Sequence, residues 1–186
     1  MAIRHAFTVD EWHRMGEAGL FGEDARMELL DGEVIEMPPI GSPHAGCVNV
    51  LNRLLMTGLG HRAVLAVQNP VLLDNRSEPQ PDIAVLAPRA DMYSKSHATP
   101  EEILLLIEVA DTTLAFDRGR KASYYAGVGV GETWVVDLAG QQVLVMRQPA
   151  SGGYRHIRNL PQGATLDIEA FEDVRLAVDD VFGSTG

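Results

Sequence analysis

The stretch "ILLLIEVADTTLAFDRGRKASYY", Ile103 to Tyr125, decides the fold. Its first eight residues, Ile103 to Ala110, are almost continuously apolar, the pattern of a central strand covered on both faces. The run ends on an ionisable carboxylate, Glu108, and a mixed-charge segment with Asp111, Asp117, Arg118, Arg120 and Lys121 follows. The spacing of that segment predicts a helix from about Leu114 to Val128, with Gly129 as its C′ residue. Asp117, Lys121 and Tyr125 then share one helical face at i, i+4 and i+8. Helices and strands mix along the whole chain, which predicts an α/β domain with a mixed sheet.

Outward toward the N-terminus, "QPDIAVLAP" gives a strand from Asp82 to Ala87, ended by Pro88. Residues 88–102 form a long connection, of the kind that tends to be functional or mobile. "HAGCVNVLNRLLMTGLG" places Val48, Leu51, Leu55 and Leu59 at helical spacing, with Gly58 and Gly60 as stops. Asp31-Gly32 between two short apolar runs predicts a hairpin. Thr8 with Glu11 forms a capping box that opens a helix through about Ala18. Toward the C-terminus, "ETWVVDL" is another buried strand. "QVLVMRQP" and "YRHIRNL" pair antiparallel across Ser151 to Gly153, and short strands lead to a last turn near Phe182. No linker separates two cores, so a single domain over residues 1–186 is expected.

Composition narrows the function. The 186 residues are 46% hydrophobic and 22% charged. No apolar run reaches the ~20 residues of a membrane helix, and the first residues lack the apolar core of a signal peptide, so a cytoplasmic protein is expected. The one cysteine, Cys47, excludes an internal disulfide framework and a cysteine zinc cluster. A net charge of −11 argues against broad nonspecific duplex binding, while leaving room for a cluster of carboxylates that holds a cation.

Such a cluster is legible. Burying the Glu108 carboxylate is costly unless a metal, a lysine or a set of backbone amides compensates it. Asp82 opens its strand and Glu108 nears the end of its own; were the two strands antiparallel neighbours, the carboxylates would meet. Paired carboxylate oxygens suit Mg²⁺, and Lys121 on the next helix has the reach to bind a phosphate or orient water. Read without a site, Asp82 is a turn residue, Glu108 pairs with Lys121 or Arg120, and Asp117 with Lys121 is an exposed helix pair. On the same view His44 is a loop or cap residue, and Trp134 and Tyr125 are core. His5, His13, His61, His97 and His156 show no spacing that suggests a site.

"MELLDGEVIEMPPIGSPH", "QPDIAVL", "LLLIEVADTTLAFDRGRKASYYAGVGVGETWVVDL" and "LPQGATLDIEAFEDVRLAVDDVF" resemble, in that order, the Uma-two family of restriction-endonuclease-like domains, within the PD-(D/E)xK nuclease superfamily. The resemblance implies an αβββαβ core. It also implies a Mg²⁺-dependent endonuclease, with Mn²⁺ able to substitute, that hydrolyses phosphodiester bonds of nucleic acid, DNA first, and forms a homodimer. On this view Asp82 and Glu108 are the metal carboxylates and the Val109 carbonyl lends an oxygen. The lysine usual two residues after the glutamate is replaced by Ala110, and Lys121 takes its role. Glu28 or Glu33 supplies a further acidic group. Three features depart from the family pattern: "ADTT" stands for its serine-rich turn, Gly131 for a proline and Thr133 for a tyrosine. The alternative is a nuclease-like domain that binds nucleic acid or a protein partner without cleaving.

Overall fold

A computed structural model describes residues 4–22 and 25–183. Six strands form one mixed sheet in the order β3-β4-β5-β6-β7-β8: Val64–Val67, Ile83–Leu86, Ile103–Ala110, Glu132–Asp137, Gln142–Ala150 and Gly153–Pro161. β5 and β6 run parallel, and all other neighbours are antiparallel. The parallel pair needs a crossover, and the helix after β5 supplies it. With α2, Ser42–Leu59, in front of β3, the order αβββαβ is complete.

Both faces of the sheet are covered, so β5 carries no polar alternation. On one face α2 lays Val48, Leu51, Leu55 and Leu59 over Val85, Leu105, Ile107, Trp134 and Val145. Burying one such leucine stabilises by about 1.5–3 kcal/mol. The hairpin of β9, Thr165–Ile168, and β10, Phe171–Ala177, with the last helix α5, Val178–Phe182, closes that side. On the other face Tyr125 packs with Ala84, Leu86 and Leu106, and Ala122 and Ala126 pack with Ala110, Val135 and Met146.

The first helix, α1, spans Val9–Glu17, and its Thr8–Glu11 capping box is made in both directions. β1, Met27–Leu30, and β2, Glu33–Glu36, form the expected hairpin. Asp31 and Gly32 at its turn have φ of 52° and 73°, the paired left-handed residues that a tight hairpin turn requires.

Three local expectations are corrected. The helix after β5 is not regular: α3, Leu114–Phe116, passes through a π turn, Asp117–Lys121, into α4, Ala122–Gly127. Gly58 does not stop α2 but lies inside it, and Gly60 caps it. The connection 88–102 is tied down rather than loose. Arg89 bonds the Asp91 carboxylate, the Glu102 carboxylate and the Ser96 carbonyl, and its guanidinium lies 3.8 Å over the Tyr93 ring. None of the helices among the described residues is long and apolar enough to cross a membrane.

Candidate active site

Ile83 pairs with Ile107 across β4 and β5. The residues just beyond that pair are Asp82 and Glu108, so the antiparallel register sets the two carboxylates side by side at one end of the sheet. Both line a cavity of about 210 Å³ together with Val109, Lys121, Glu28, Asp117, His44 and Arg26. The cavity walls are the 37–41 segment between β2 and α2 and the 111–113 segment between β5 and α3.

Every charged group at its base is buried: Asp82 is 6% exposed, Glu108 3%, Glu28 3%, Asp117 2% and Lys121 1%. The Lys121 amine lies 3.1 Å from Oε1 of Glu108 and 3.0 Å from Oε2 of Glu28. Tyr125 donates to the same Glu108 oxygen at 2.6 Å. The Asp82 carboxylate accepts from His44 Nε2 at 2.8 Å through Oδ1, and from the Val109 N–H at 2.8 Å through Oδ2. Thr113 donates to Oδ2 of Asp117. Lys121 donates to Oε1 of Glu28 at 3.3 Å, and Oε2 of Glu28 has only its 3.0 Å ion contact with the same amine. Oδ1 of Asp117 has no hydrogen-bond partner among the described residues.

Four buried carboxylates thus face one ammonium, and the electrostatics follow. Burial alone pushes Asp82 up, but the hydrogen bonds from His44 and the Val109 amide, with the charges of His44 and Lys121, outweigh it and hold the carboxyl below its ordinary value. Glu108 goes the other way: burial, aided by Asp117, Asp82 and Glu28, raises it well above the usual range despite Lys121. Asp117 is raised by burial as well. Burial pulls the Lys121 ammonium down, but Glu108, Glu28 and Asp117 together reverse that and hold it above the usual lysine value. Lys121 therefore keeps its proton at neutral pH. That direction favours the part of a positive charge and hydrogen-bond donor over that of a base.

The donor set fits a hard divalent cation. The site carries surplus buried negative charge and, among the described residues, one carboxylate oxygen, Oδ1 of Asp117, without a hydrogen-bond partner. Among the described residues, no three His, Cys, Asp or Glu side chains form a ready-made cage.

The sequence reading places most of these groups and misses some. The candidates Asp82, Glu108, Val109 and Lys121 line one cavity. Of the two early glutamates, Glu28 reaches it; Glu33 lies outside and pairs with Arg120 at 2.8 Å, so Arg120 is not the partner of Glu108. The view of Asp117 and Lys121 as an exposed helix pair fails, since both are buried. His44 is the third residue of α2 and a partner of Asp82 rather than a plain cap. Tyr125 is core and site at once, being fully buried and bonded to Glu108. His13, which no spacing singled out, bonds Glu78 at 2.9 Å, outside the cavity.

A solved structure described as "a putative nuclease belonging to DUF820" from Anabaena variabilis matches with a TM-score of 0.71 and 16% identity, covering 95% of this chain and 97% of that one. The type IIG restriction endonuclease BpuSI matches with a TM-score of 0.39 and 16% identity, over 60% of this chain and 12% of that one. No curated protein matches the chain significantly. The Uma2 model, described as "Putative restriction endonuclease", matches residues 9–179. With nearly the whole chain inside that match, this protein belongs to the Uma2 family.

Proposed function

We propose that the protein is a metal-dependent endonuclease that hydrolyses phosphodiester bonds of nucleic acid, DNA first. The observation that carries this reading is the convergence of Asp82, Glu108 and Lys121 on one cavity, from two neighbouring strands and the helix that follows. Asp82 and Glu108, with the Val109 carbonyl, would hold Mg²⁺ or Mn²⁺. Such an ion lowers the pKa of bound water and stabilises charge on a phosphate oxygen.

The chain's own groups do the rest. Lys121, kept charged by its carboxylate neighbours, donates to a phosphate oxygen or to the attacking water and orients it. Its raised pKa favours this donor role over proton abstraction by the amine. Arg26 also lines the cavity and supplies a second cation for the phosphate. The α2 N-terminus, with Gly41 at its cap and no side-chain cap, borders the same cavity and favours negative charge there.

A second reading has an observation in its favour. Both Asp82 oxygens and one Glu108 oxygen already accept bonds from the protein, as in a nuclease-like domain that binds nucleic acid or a partner without cleaving. One experiment separates the two: cleavage of single- and double-stranded DNA and of RNA with Mg²⁺, Mn²⁺ or EDTA. The enzyme reading expects metal-dependent cleavage that Asp82→Asn and Glu108→Gln abolish. Absence of cleavage under all conditions, with no Mn²⁺ bound by the wild type, favours the binder.

A further inference from the structure

Glu108 Oε1 accepts a hydrogen bond from the Tyr125 hydroxyl at 2.6 Å and forms an ion pair with the Lys121 amine at 3.1 Å. Among the described residues no hydrogen bond reaches its Oε2, and that oxygen is not among the buried unpaired atoms. Glu108 lines the cavity, so the free oxygen is the one offered to it.

Tyr125 reaches Glu108 because of the π turn. Successive side chains of a regular α-helix are about 100° apart, so a residue and its i+8 neighbour drift apart by about 80°. One wide turn absorbs most of that drift. Here the Ala122 N–H bonds back to the Asp117 carbonyl, an i→i−5 bond, within the turn Asp117–Lys121. Asp117, Lys121 and Tyr125 are thereby all buried toward the carboxylates. A π turn weakens helix hydrogen bonding and tends to occur where function needs it; its effect here is to align the displaced lysine and a tyrosine on one carboxylate.

We propose that Tyr125 is a positioning residue: with Lys121 it locks one oxygen of Glu108, so that the other is presented to the metal ion in a fixed orientation. The inference rests on the reading of Glu108 as an ion ligand and extends it to the group that aims the ligand. Hydrogen-bonded partners of metal ligands change affinity typically by about 10–100-fold. Tyr125 is fully buried and does not line the cavity, so its effect runs through Glu108.

The test uses the full chain and Mn²⁺ alone as probe, with free Mn²⁺ read by electron paramagnetic resonance. Tyr125→Phe keeps the ring and removes only the hydroxyl. The expected result is Mn²⁺ binding weakened by about 10–100-fold. Cleavage should recover toward the wild-type kcat at saturating Mn²⁺, with KM for the oligonucleotide unchanged. Tyr124→Phe, whose hydroxyl bonds Asp74 outside the cavity, should bind Mn²⁺ as the wild type does. Should Tyr125→Phe not fold, Tyr125→Met, which fills the space without a hydroxyl, takes its place with the same expectation. A purely structural tyrosine would shift the melting temperature and leave Mn²⁺ affinity untouched, and that result overturns the proposal. If the wild type binds no Mn²⁺, the ion-ligand reading of Glu108 falls and this inference with it. If the wild type binds and Tyr125→Phe binds equally, this inference alone falls.

Discussion

Lys121 Nζ lies 3.0 Å from Oε2 of Glu28, a residue of the N-terminal hairpin. The lysine therefore closes a cage whose other wall is Glu108 on the central strand. Removing one partner of a buried pair leaves an uncompensated charge and costs about 3–5 kcal/mol. Lys121→Met should lose stability of that order and lower cleavage by about 10²–10³-fold, the loss typical of removing one charge-stabilising donor. Adding Glu28→Gln removes one of the stranded charges and should restore part of the stability but none of the activity. Denaturant unfolding and a nuclease assay on the single and double variants check this. A single variant as stable as the wild type would show that Lys121 is not the group neutralising the carboxylates.

Much of this was legible in the sequence, for physical reasons. The apolar run Ile103 to Ile107 announced a strand covered on two faces, and a carboxylate at its end announced a compensating partner. The Asp31-Gly32 turn and the Thr8–Glu11 box are local chemistry and came out as expected. What stayed hidden depends on long-range geometry. A regular helical wheel cannot show the π turn Asp117–Lys121, which brings Asp117, Lys121 and Tyr125 to one buried face. His44 gave no signal because its partner, Asp82, is set by how α2 crosses the strands. Nor could spacing choose between Glu28 and Glu33. The pleat turns Glu28 inward at 3% exposure, while Glu33 stays on the outer surface with Arg120.

Gly32 tests how far the site depends on the hairpin. Its φ is 73°, and an added Cβ would lie 2.7 Å from Cβ and 2.9 Å from Cα of Ala6. A left-handed conformation costs a non-glycine residue about 1–2 kcal/mol, and the backbone contact adds to it. Gly32→Ala should therefore destabilise by at least that amount. It should also weaken cleavage, because the hairpin carries Glu28. A melting curve and a rate measured well below the melting temperature separate the two effects. An unchanged melting temperature would mean that residues around Ala6 move aside freely.

Arg89 predicts the opposite pattern. It joins Asp91, Glu102, Ser96 and Tyr93 but lines no wall of the cavity that holds Asp82 and Glu108. Arg89→Ala should free the 88–102 connection, seen as faster proteolysis within that segment. Solvent screens these pairs, so the melting temperature of the whole domain should fall only slightly. Cleavage at a temperature where both proteins are folded should be unchanged. A large loss of activity there would place the connection in the functional machinery after all.

Asp117 is the clearest case of stability set aside at the site. Its Oδ1 is buried and unpaired, and burial raises its pKa despite the Lys121 charge and the Thr113 hydroxyl. A carboxyl raised in the folded state contributes stability that is present below its ordinary pKa and is lost as pH rises through the raised value. Asparagine keeps the shape and does not titrate. Asp117→Asn should therefore come nearest to the wild type at the acid end of the range and should become progressively more stable than the wild type toward pH 8. For a chain of this size each kcal/mol gained moves the melting temperature by about 2–4 °C. Melting curves from pH 4 to pH 8 in EDTA read the difference directly, since EDTA removes any ion that would compensate the carboxylate. A gap that grows with pH identifies an ionised, uncompensated Asp117 as the destabilising group. A gap that stays constant, or a variant less stable at pH 8, would show that water or protein donors satisfy Oδ1 in solution, and the surplus of negative charge at the base of the cavity would then be smaller by one.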